Sequence, residues 1–274
     1  LMVFLVLMVA FPLIYTVYLS FTNWNMGALA PKWLGLKNYI DVLTDSQFWS
    51  DTGHTLYLAF GSVAIELVLG TGIAIVLNRP FAGKNFIKTL FLLPMVATPI
   101  AVGMVWQLIY EPTLGVANYL LKFLGIEPVM WLIDTNMVMK SMIIIEVWEW
   151  TPMVMLIVLA GLAGMPQDVF EAAKVDGANR FQIFRRVTLP LLAPTLIVTA
   201  LMRIIDALKT FDIIYATTQG GPLKASETVN LLAYKSIFSY FKMGRGAALI
   251  ICFLAEIGLC CALVMILRRN AKRR

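Results

Sequence analysis

Residues 165–190 read MPQDVFEAAKVDGANRFQIFRRVTLP and lie between two apolar stretches, 138–163 and 191–216. The segment predicts two short helices joined by a bend. Pro166 suits a first helical turn, and Asp168 and Glu171 near that end favour the helix dipole. Glu171, Ala172, Ala173 and Lys174 propagate the helix, and Gly177 can end it in a left-handed cap. A second helix should run through Phe181 and Phe184 and stop at Leu189-Pro190, just before the next apolar stretch. Such a helix–Gly–helix knob can enter a partner's groove and transmit a push. Spacing alone favours an ordinary basic loop between two spans.

Working outward, the chain has 274 residues, of which 60% are hydrophobic and only 14% charged, with a mean hydropathy of +0.81. A soluble domain is about 45–50% apolar and cannot hide that much more surface. A soluble enzyme, a disulfide scaffold and a disordered protein are thereby excluded. Hydropathy windows give six candidate spans near 1–21, 55–77, 89–110, 138–163, 191–216 and 245–267, an all-α integral membrane protein. The first 21 residues lack a charged n-region and an A-x-A cleavage signal, and read as a span, not a signal peptide. Their abrupt apolar start leads us to expect a short polar stretch ahead of them.

The net charge of +6 is distributed by topology and gives no nucleic-acid patch. Twelve Lys and Arg fall in one set of segments, around Arg79, Lys84, Lys88, then Lys174–Arg186, then Arg268–Arg274; six fall in the opposite, longer set. The positive-inside rule puts the first set, and both termini, in the cytoplasm. Trp24, Trp33, Trp49 and Trp131 on the other side read as an aromatic belt. The outer segments 22–53, 111–137 and 217–244 are long enough for short interfacial helices, with IFSYFKM after Lys235 amphipathic. Cys252, Cys260 and Cys261 show no C-x-x-C spacing and read as inert membrane thiols, with no metal site and no disulfide.

Three stretches carry a resemblance. Glu171-Ala172-Ala173, three residues, Gly177, nine residues, then Val187-Thr188-Leu189-Pro190 resembles the EAA loop of ABC-importer permeases, with Val187 where the pattern has Ile. Asp176-Gly177-Ala178 and Phe184 fit the same pattern. Phe211-Asp212 through Gly220-Gly221-Pro222 and Ser226-Glu227-Thr228, together with Trp33–Tyr39 and Phe48-Trp49, are similar to the carbohydrate-type, maltose-F-like subfamily. The resemblance covers essentially the whole chain. It implies a single transmembrane permease domain over 1–274 with the type I ABC importer permease fold, and a cytoplasmic EAA coupling loop at 164–190. It also implies a multi-pass protein of the bacterial inner membrane. Coupling to an ABC ATPase dimer would fall on Glu171, Ala172, Ala173, Asp176, Gly177, Ala178 and Pro190. ATP and Mg would sit on that partner, since this chain has no G-x-x-x-x-G-K-[ST] and needs no cofactor of its own. A second, maltose-G-like permease would supply the other EAA loop, and a periplasmic or lipid-anchored binding protein would deliver the carbohydrate.

Ionisable residues within spans usually face an interior or a cavity, because each costs about 2.5–3.5 kcal/mol at a helix centre. Span four carries Glu146, Glu149, Trp150 and Pro152; span five carries Arg203, Asp206, Lys209, Thr210 and Asp212. At 1.5 Å per residue, Glu149 and Asp206 both lie roughly 21–23 Å from the inner face. Pro152 could kink its helix there and free backbone carbonyls. Carboxylates beside aromatic faces suit a sugar. The resemblance places a substrate pathway on Glu149, Trp150, Met153, Arg203, Asp206, Ala207 and Thr210. Arg203 could grip a planar anion, which makes a sulfonated, phosphorylated or carboxylated sugar an expectation. Equally, Arg203, Asp206 and Lys209 at i, i+3, i+6 could neutralise one another along one helix. Glu66 and Glu256, alone near mid-span, read as interhelical hydrogen-bond partners, and His54 as interfacial. Trp106, Gln107 and Tyr110 read as belt packing near an entry. No catalytic constellation appears, so the chain is read as a transporter subunit and not an enzyme. The rival reading is an ion-gradient-driven secondary transporter using Glu66, Asp206 and Glu256.

Overall fold

The computed structural model describes residues 2–26 and 30–271. Among these the chain is all-helical, with a single isolated bridge between Thr22 and Trp33. Helix α1 (Met2–Ser20) is followed by a short outer helix α2 (Lys37–Leu43) and the long α3 (Ser46–Leu77). Next come α4 (Lys84–Val96), α5 (Pro99–Ile109), the outer α6 (Val116–Phe123) and α7 (Val138–Ala163). The pair α8 (Gln167–Val175) and α9 (Arg180–Ile183) leads through one π turn, Phe184–Thr188, into α10 (Leu189–Leu208). Helices α11 (Asp212–Thr217), α12 (Val229–Tyr234) and α13 (Met243–Ala271) complete the chain. Part of the basic cluster expected at 268–274 lies outside the described residues.

Four helical stretches are long and apolar enough to cross a membrane: Ser46–Leu77, Val138–Ala163, Arg180–Thr217 and Met243–Ile266. The span expected at 89–110 is broken instead. Helices α4 and α5 meet at 97°. The cause is local: Ala97 and Thr98 are extended (ψ 150° and 138°), Pro94 lacks a donor, and a residue before proline, here Thr98 before Pro99, avoids the helical region. Counting this pair as one span gives five. Helix α1, a shorter apolar helix packed against α13, occupies the position of the first expected span.

The centre of the bundle is α3 against α7. Lipid supplies no hydrophobic drive between helices, so close backbone approach through small residues matters more. A Cβ on Gly70 would come 2.7 Å from Cγ1 of Val154, and one on Gly61 would come 2.9 Å from Cδ1 of Ile143. Buried Ala74, Leu77, Val154, Met155, Val158 and Leu192 fill the lower half of this contact, with α10 as the third wall. Leu58, Met142, Ile145 and Tyr110 fill the upper half, where α5 docks on α11. Pro152 does not interrupt α7, which runs unbroken from Val138 to Ala163.

The outer segments hold short helices as expected, α2, α6 and α12. The stretch after Lys235 forms a π turn, Lys235–Ser239, and not an amphipathic helix of its own; Phe238, Tyr240 and Phe241 stay exposed. The first outer loop is tied down by Asn38, which donates to the carbonyls of Ser20 (2.8 Å) and Thr22 (2.7 Å).

Packing at Gly70 can be tested against a neighbour. Gly70→Ala should cost about 1–3 kcal/mol by overpacking against Val154. Gly72→Ala meets nothing within 4 Å and should be neutral or stabilise by up to about 1 kcal/mol through helix propensity. Thermal unfolding of the detergent-solubilised protein reads both; equal melting temperatures would contradict the α3–α7 contact.

Candidate functional site

Two places in the fold concentrate polar chemistry: the α8–α9 knob and a charged node inside the bundle.

In the knob, Gln167–Val175 ends as the glycine spacing demands. Gly177 sits at φ +76°, its N–H donates to the Lys174 carbonyl, and the Ala178 N–H donates to the Ala173 carbonyl, both at 3.0 Å. That 6→1, 5→2 pair is a Schellman motif. Two residues later Asn179 and Gln182 form a capping box that starts α9, at 2.8 and 2.9 Å. Helix α8 has no buried residue, and Glu171, Ala172 and Asp176 stand exposed beside Val169 and Val175. The knob is therefore rigid in itself and uncovered in this chain.

The second helix of the knob does not stop at Leu189-Pro190. It passes through the π turn into α10, and Arg180–Thr217 forms one span-length stretch. Pro190 has no N–H, and it falls where the ladder returns from i→i+5 to i→i+4, so its missing donor costs little. Proline at the first turn of α10 thus continues the path instead of ending it.

The charged node centres on Arg203 of α10, which is fully buried. Its Nε donates to Oε2 of Glu66 at 2.7 Å and its Nη2 to Oε1 of the same carboxylate at 3.1 Å, a bidentate fork. Nη2 also donates to Oε1 of Glu146 at 3.1 Å, and Thr210 donates to that oxygen at 3.3 Å. The guanidinium carbon lies 4.7 Å over the Trp150 ring. Glu66 comes from α3, and Glu146 and Trp150 from successive turns of α7, so one side chain joins the three central helices. Asp206 pairs with Lys209 (3.3 Å) on the exposed side of α10 and leaves Arg203 to the carboxylates of other helices.

A cavity of about 140 Å³ opens at this node, lined by Glu146, Trp150, Arg203, Asp206, Lys209 and Thr210, with Asp212 at its rim. Four of the seven pathway residues expected from the sequence meet there: Trp150, Arg203, Asp206 and Thr210. The other three do not. Ala207 is buried with Ala59, Val63 and Ile204 against α3. Glu149 is buried with Oε2 unpartnered, and Met153 is half-buried. Pro152 lines a separate apolar cavity of about 510 Å³ beneath the α4–α5 bend.

Several partners were hidden from sequence reasoning. Glu66 is the lone carboxylate of its apolar stretch in sequence, yet its partner lies 137 residues away. Depth carried only a coarse signal: counted from Leu77 and Leu189, Glu66 and Arg203 sit roughly 16 and 21 Å in, about one helical turn apart. At the outer end of α3, Glu227 is buried and accepts from Lys235 at 2.5 Å and Gln47 at 3.4 Å, while His54 Nδ1 meets the Glu227 carbonyl at 3.0 Å. Thr55 accepts from the Val229 N–H at 3.1 Å. The Ser226-Glu227-Thr228 stretch is thereby fastened to α3. Glu256 of α13 accepts from Thr52 at 3.5 Å. Gln107 donates to the Thr217 carbonyl at 3.3 Å, and Trp106 packs edge-on against Trp148, as belt packing requires.

With this geometry in place, comparison with known proteins is direct. Residues 66–274 match the family described as binding-protein-dependent transport system inner membrane components. The chain is 42% identical over 247 residues to a probable ABC transporter permease protein y4oQ of Sinorhizobium fredii, covering 89% of this chain and 80% of that one. It is 41% identical over 211 residues to the trehalose/maltose transport system permease protein MalF of Thermococcus litoralis, covering 77% and 70%. In fold it superposes on a chain from the crystal structure of a bacterial ABC transporter involved in import of the acidic polysaccharide alginate. The TM-score is 0.84 at 20% identity, over 99% of this chain and 92% of that one.

The two kinds of charge at the node should respond differently to mutation. Arg203→Met strands Glu66 and Glu146 in the bundle interior and should destabilise by about 3–5 kcal/mol. Asp206→Asn breaks only a half-exposed pair and should change stability by less than about 1 kcal/mol. Thermal unfolding in detergent distinguishes them; a tolerated Arg203→Met would overturn the node.

Proposed function

The chain belongs to the binding-protein-dependent transport system inner membrane components, and from that membership we propose that it is the membrane-spanning permease subunit of an ATP-driven sugar importer. The observation that carries the mechanism is the helical continuity from Arg180 through the π turn to Leu208. A force applied to the uncovered helix α8 passes through the Schellman bend and the capped α9 into α10. It therefore reaches Arg203 and Asp206 at the cavity without an intervening flexible loop, with Thr210 two residues past the helix end.

In this reading α8 docks in a groove of a separate ATPase subunit, with Val169 and Val175 supplying apolar contact and Glu171 a polar one. ATP binding and Mg belong to that subunit. The α8–α9 end and both termini face the cytoplasm of the inner membrane. A second permease carries the matching knob, and a binding protein hands over the sugar at the opposite face, where Glu227 fastens the outer segment to α3. The rival ion path finds no support in the contacts, because Glu66, Asp206 and Glu256 have separate partners: Arg203, Lys209 and Thr52.

The node changes the expected substrate. Glu66 and Glu146 engage Nε and Nη2 of Arg203 and set two carboxylates against its one charge, leaving only Nη1 without a partner. The rim adds Asp206 and Asp212 against Lys209. We therefore favour an uncharged sugar whose hydroxyls meet these carboxylates and Thr210, in place of a sulfonated, phosphorylated or carboxylated one. The relative named for trehalose and maltose supports that choice, while one named for sulfoquinovosyl glycerol, 31% identical over 254 residues, keeps a sulfonated sugar as the alternative.

The test is coupling. The complex is purified through a tag on this chain, the co-purifying ATPase and permease are identified by mass, and ATP hydrolysis and uptake are followed in vesicles. Glu171→Lys and Gly177→Asp should each lower uptake by roughly 5- to 150-fold, the range of ordinary coupling energies, with the complex still assembled. Gly177→Asp acts through the backbone, since a Cβ there meets nothing within 4 Å but φ +76° penalises it. Normal uptake by both variants would contradict the proposed role of α8.

A further inference from the structure

Behind α8, on the side away from its exposed face, lies a second polar cavity of about 640 Å³. It is bounded by the lower ends of α3 and α7 and by the knob itself. Arg79, Lys174 and Arg180, from three different elements, stand on its wall, and no acidic residue lines it. Among the described residues none of these cations has a carboxylate partner. Asn78 and Gln167 add neutral hydrogen-bonding groups. The floor is apolar: Ile75, Leu162 and Phe170 belong to the same cluster as buried Ala74, Leu77 and Val158.

Height decides what fits. Helix α3 ends at Leu77 and α7 at Ala163, so the cavity sits where the two central spans leave the hydrocarbon layer. Its rim is cationic and wet, and its floor is continuous with the apolar bundle. A soluble anion would use only the rim, and an apolar ligand only the floor. An anionic phospholipid uses both.

We propose that this cavity binds an anionic phospholipid, with its phosphate among Arg79, Lys174 and Arg180 and an acyl chain against Ile75, Leu162 and Phe170. Basic pockets between spans at a membrane surface attract such headgroups. The bound lipid bridges α3 to α8 and α9, so it braces the knob against the central helix. The site uses the same end of the bundle as the proposed coupling but does not require that coupling to be correct.

The experiment uses the complex purified through a tag on this chain, in nanodiscs of equal parts phosphatidylglycerol and phosphatidylcholine. Retained lipid is counted by native mass spectrometry. Phosphatidylglycerol should be retained in preference to phosphatidylcholine. The double variant Arg79→Gln/Arg180→Gln should weaken that retention by roughly 25-fold, about fivefold for each charge near the surface. Lys122→Gln, in an outer segment, should leave it unchanged. Equal retention of the two lipids by the unaltered complex would overturn the proposal, and this comparison decides if the double variant fails to assemble. Unchanged retention in an assembled double variant would also overturn it, and would leave the cavity to a partner protein. Displacement of phosphatidylglycerol by millimolar inorganic phosphate would overturn the lipid assignment in favour of free phosphate.

Discussion

Everything else in the bundle depends on a guanidinium held between two carboxylates. Arg203, Glu66 and Glu146 each carry a prohibitive cost if left alone inside a span, on the order of 2.5–3.5 kcal/mol by insertion scales. Only together do they become tolerable, and only in one arrangement, because the fork of Arg203 is planar and its donors have fixed directions. The consequence is register. A slide of α10 by one turn along α3 would move the guanidinium about 5.4 Å from Glu66 and bury three unpaired charges. Close helix contacts at Gly61 and Gly70 set the distance between α3 and α7. The node sets the height of α10 against both.

That fixed height bears on the coupling proposed for the knob. A flexible link between α8 and α10 would dissipate a push in backbone rotation. Here the Schellman bend at Gly177 closes orphan carbonyls of α8, the capping box at Asn179 satisfies donors of α9, and the π turn carries the chain past Pro190 without a break. Each device removes a place where the chain would otherwise yield. The first compliant element that a displacement of α8 meets is the packing of α10 against α3 and α7, which is where the charged node and its cavity lie.

The sequence was legible where a single segment determines its own structure. The α8–Gly177–α9 bend, the apolar spans α3, α7 and α13, and the short outer helices follow from local propensity and hydropathy. It was illegible where two local rules competed. Hydropathy over 89–110 predicted one span, but Ala97 and Thr98 are extended ahead of Pro99, which disfavours helical geometry in the residue before it, and the segment folds at 97°. Leu189-Pro190 read as a stop, yet a π turn just ahead absorbs the missing donor. Arg203, Asp206 and Lys209 read as one self-neutralising row because same-helix spacing is visible in sequence. Partners on other helices are visible only as matching depth, and depth could not choose between the two arrangements. Ala207, assigned to the pathway by resemblance, turned out to face α3, one residue's rotation from the cavity.

The exposed pair beside the node then bears on what surrounds this chain. Asp206 and Lys209 show 44% and 52% of their side-chain surface, although they sit on the upper part of a membrane-spanning stretch. Charged groups at that height are not left against lipid when their neighbours have paid the cost of being buried and paired. The face that carries them, with Thr210 and the rim of Trp150, must therefore meet water or protein. A single chain encloses only about 140 Å³ there, less than the roughly 300–1,000 Å³ of ordinary ligand pockets. On the proposed reading, the polar surface on one side of α10 is half of a chamber that the second permease would close. In that arrangement the buried pairings of Arg203 hold the wall in register, and the half-exposed pair, with Thr210, faces the passing sugar.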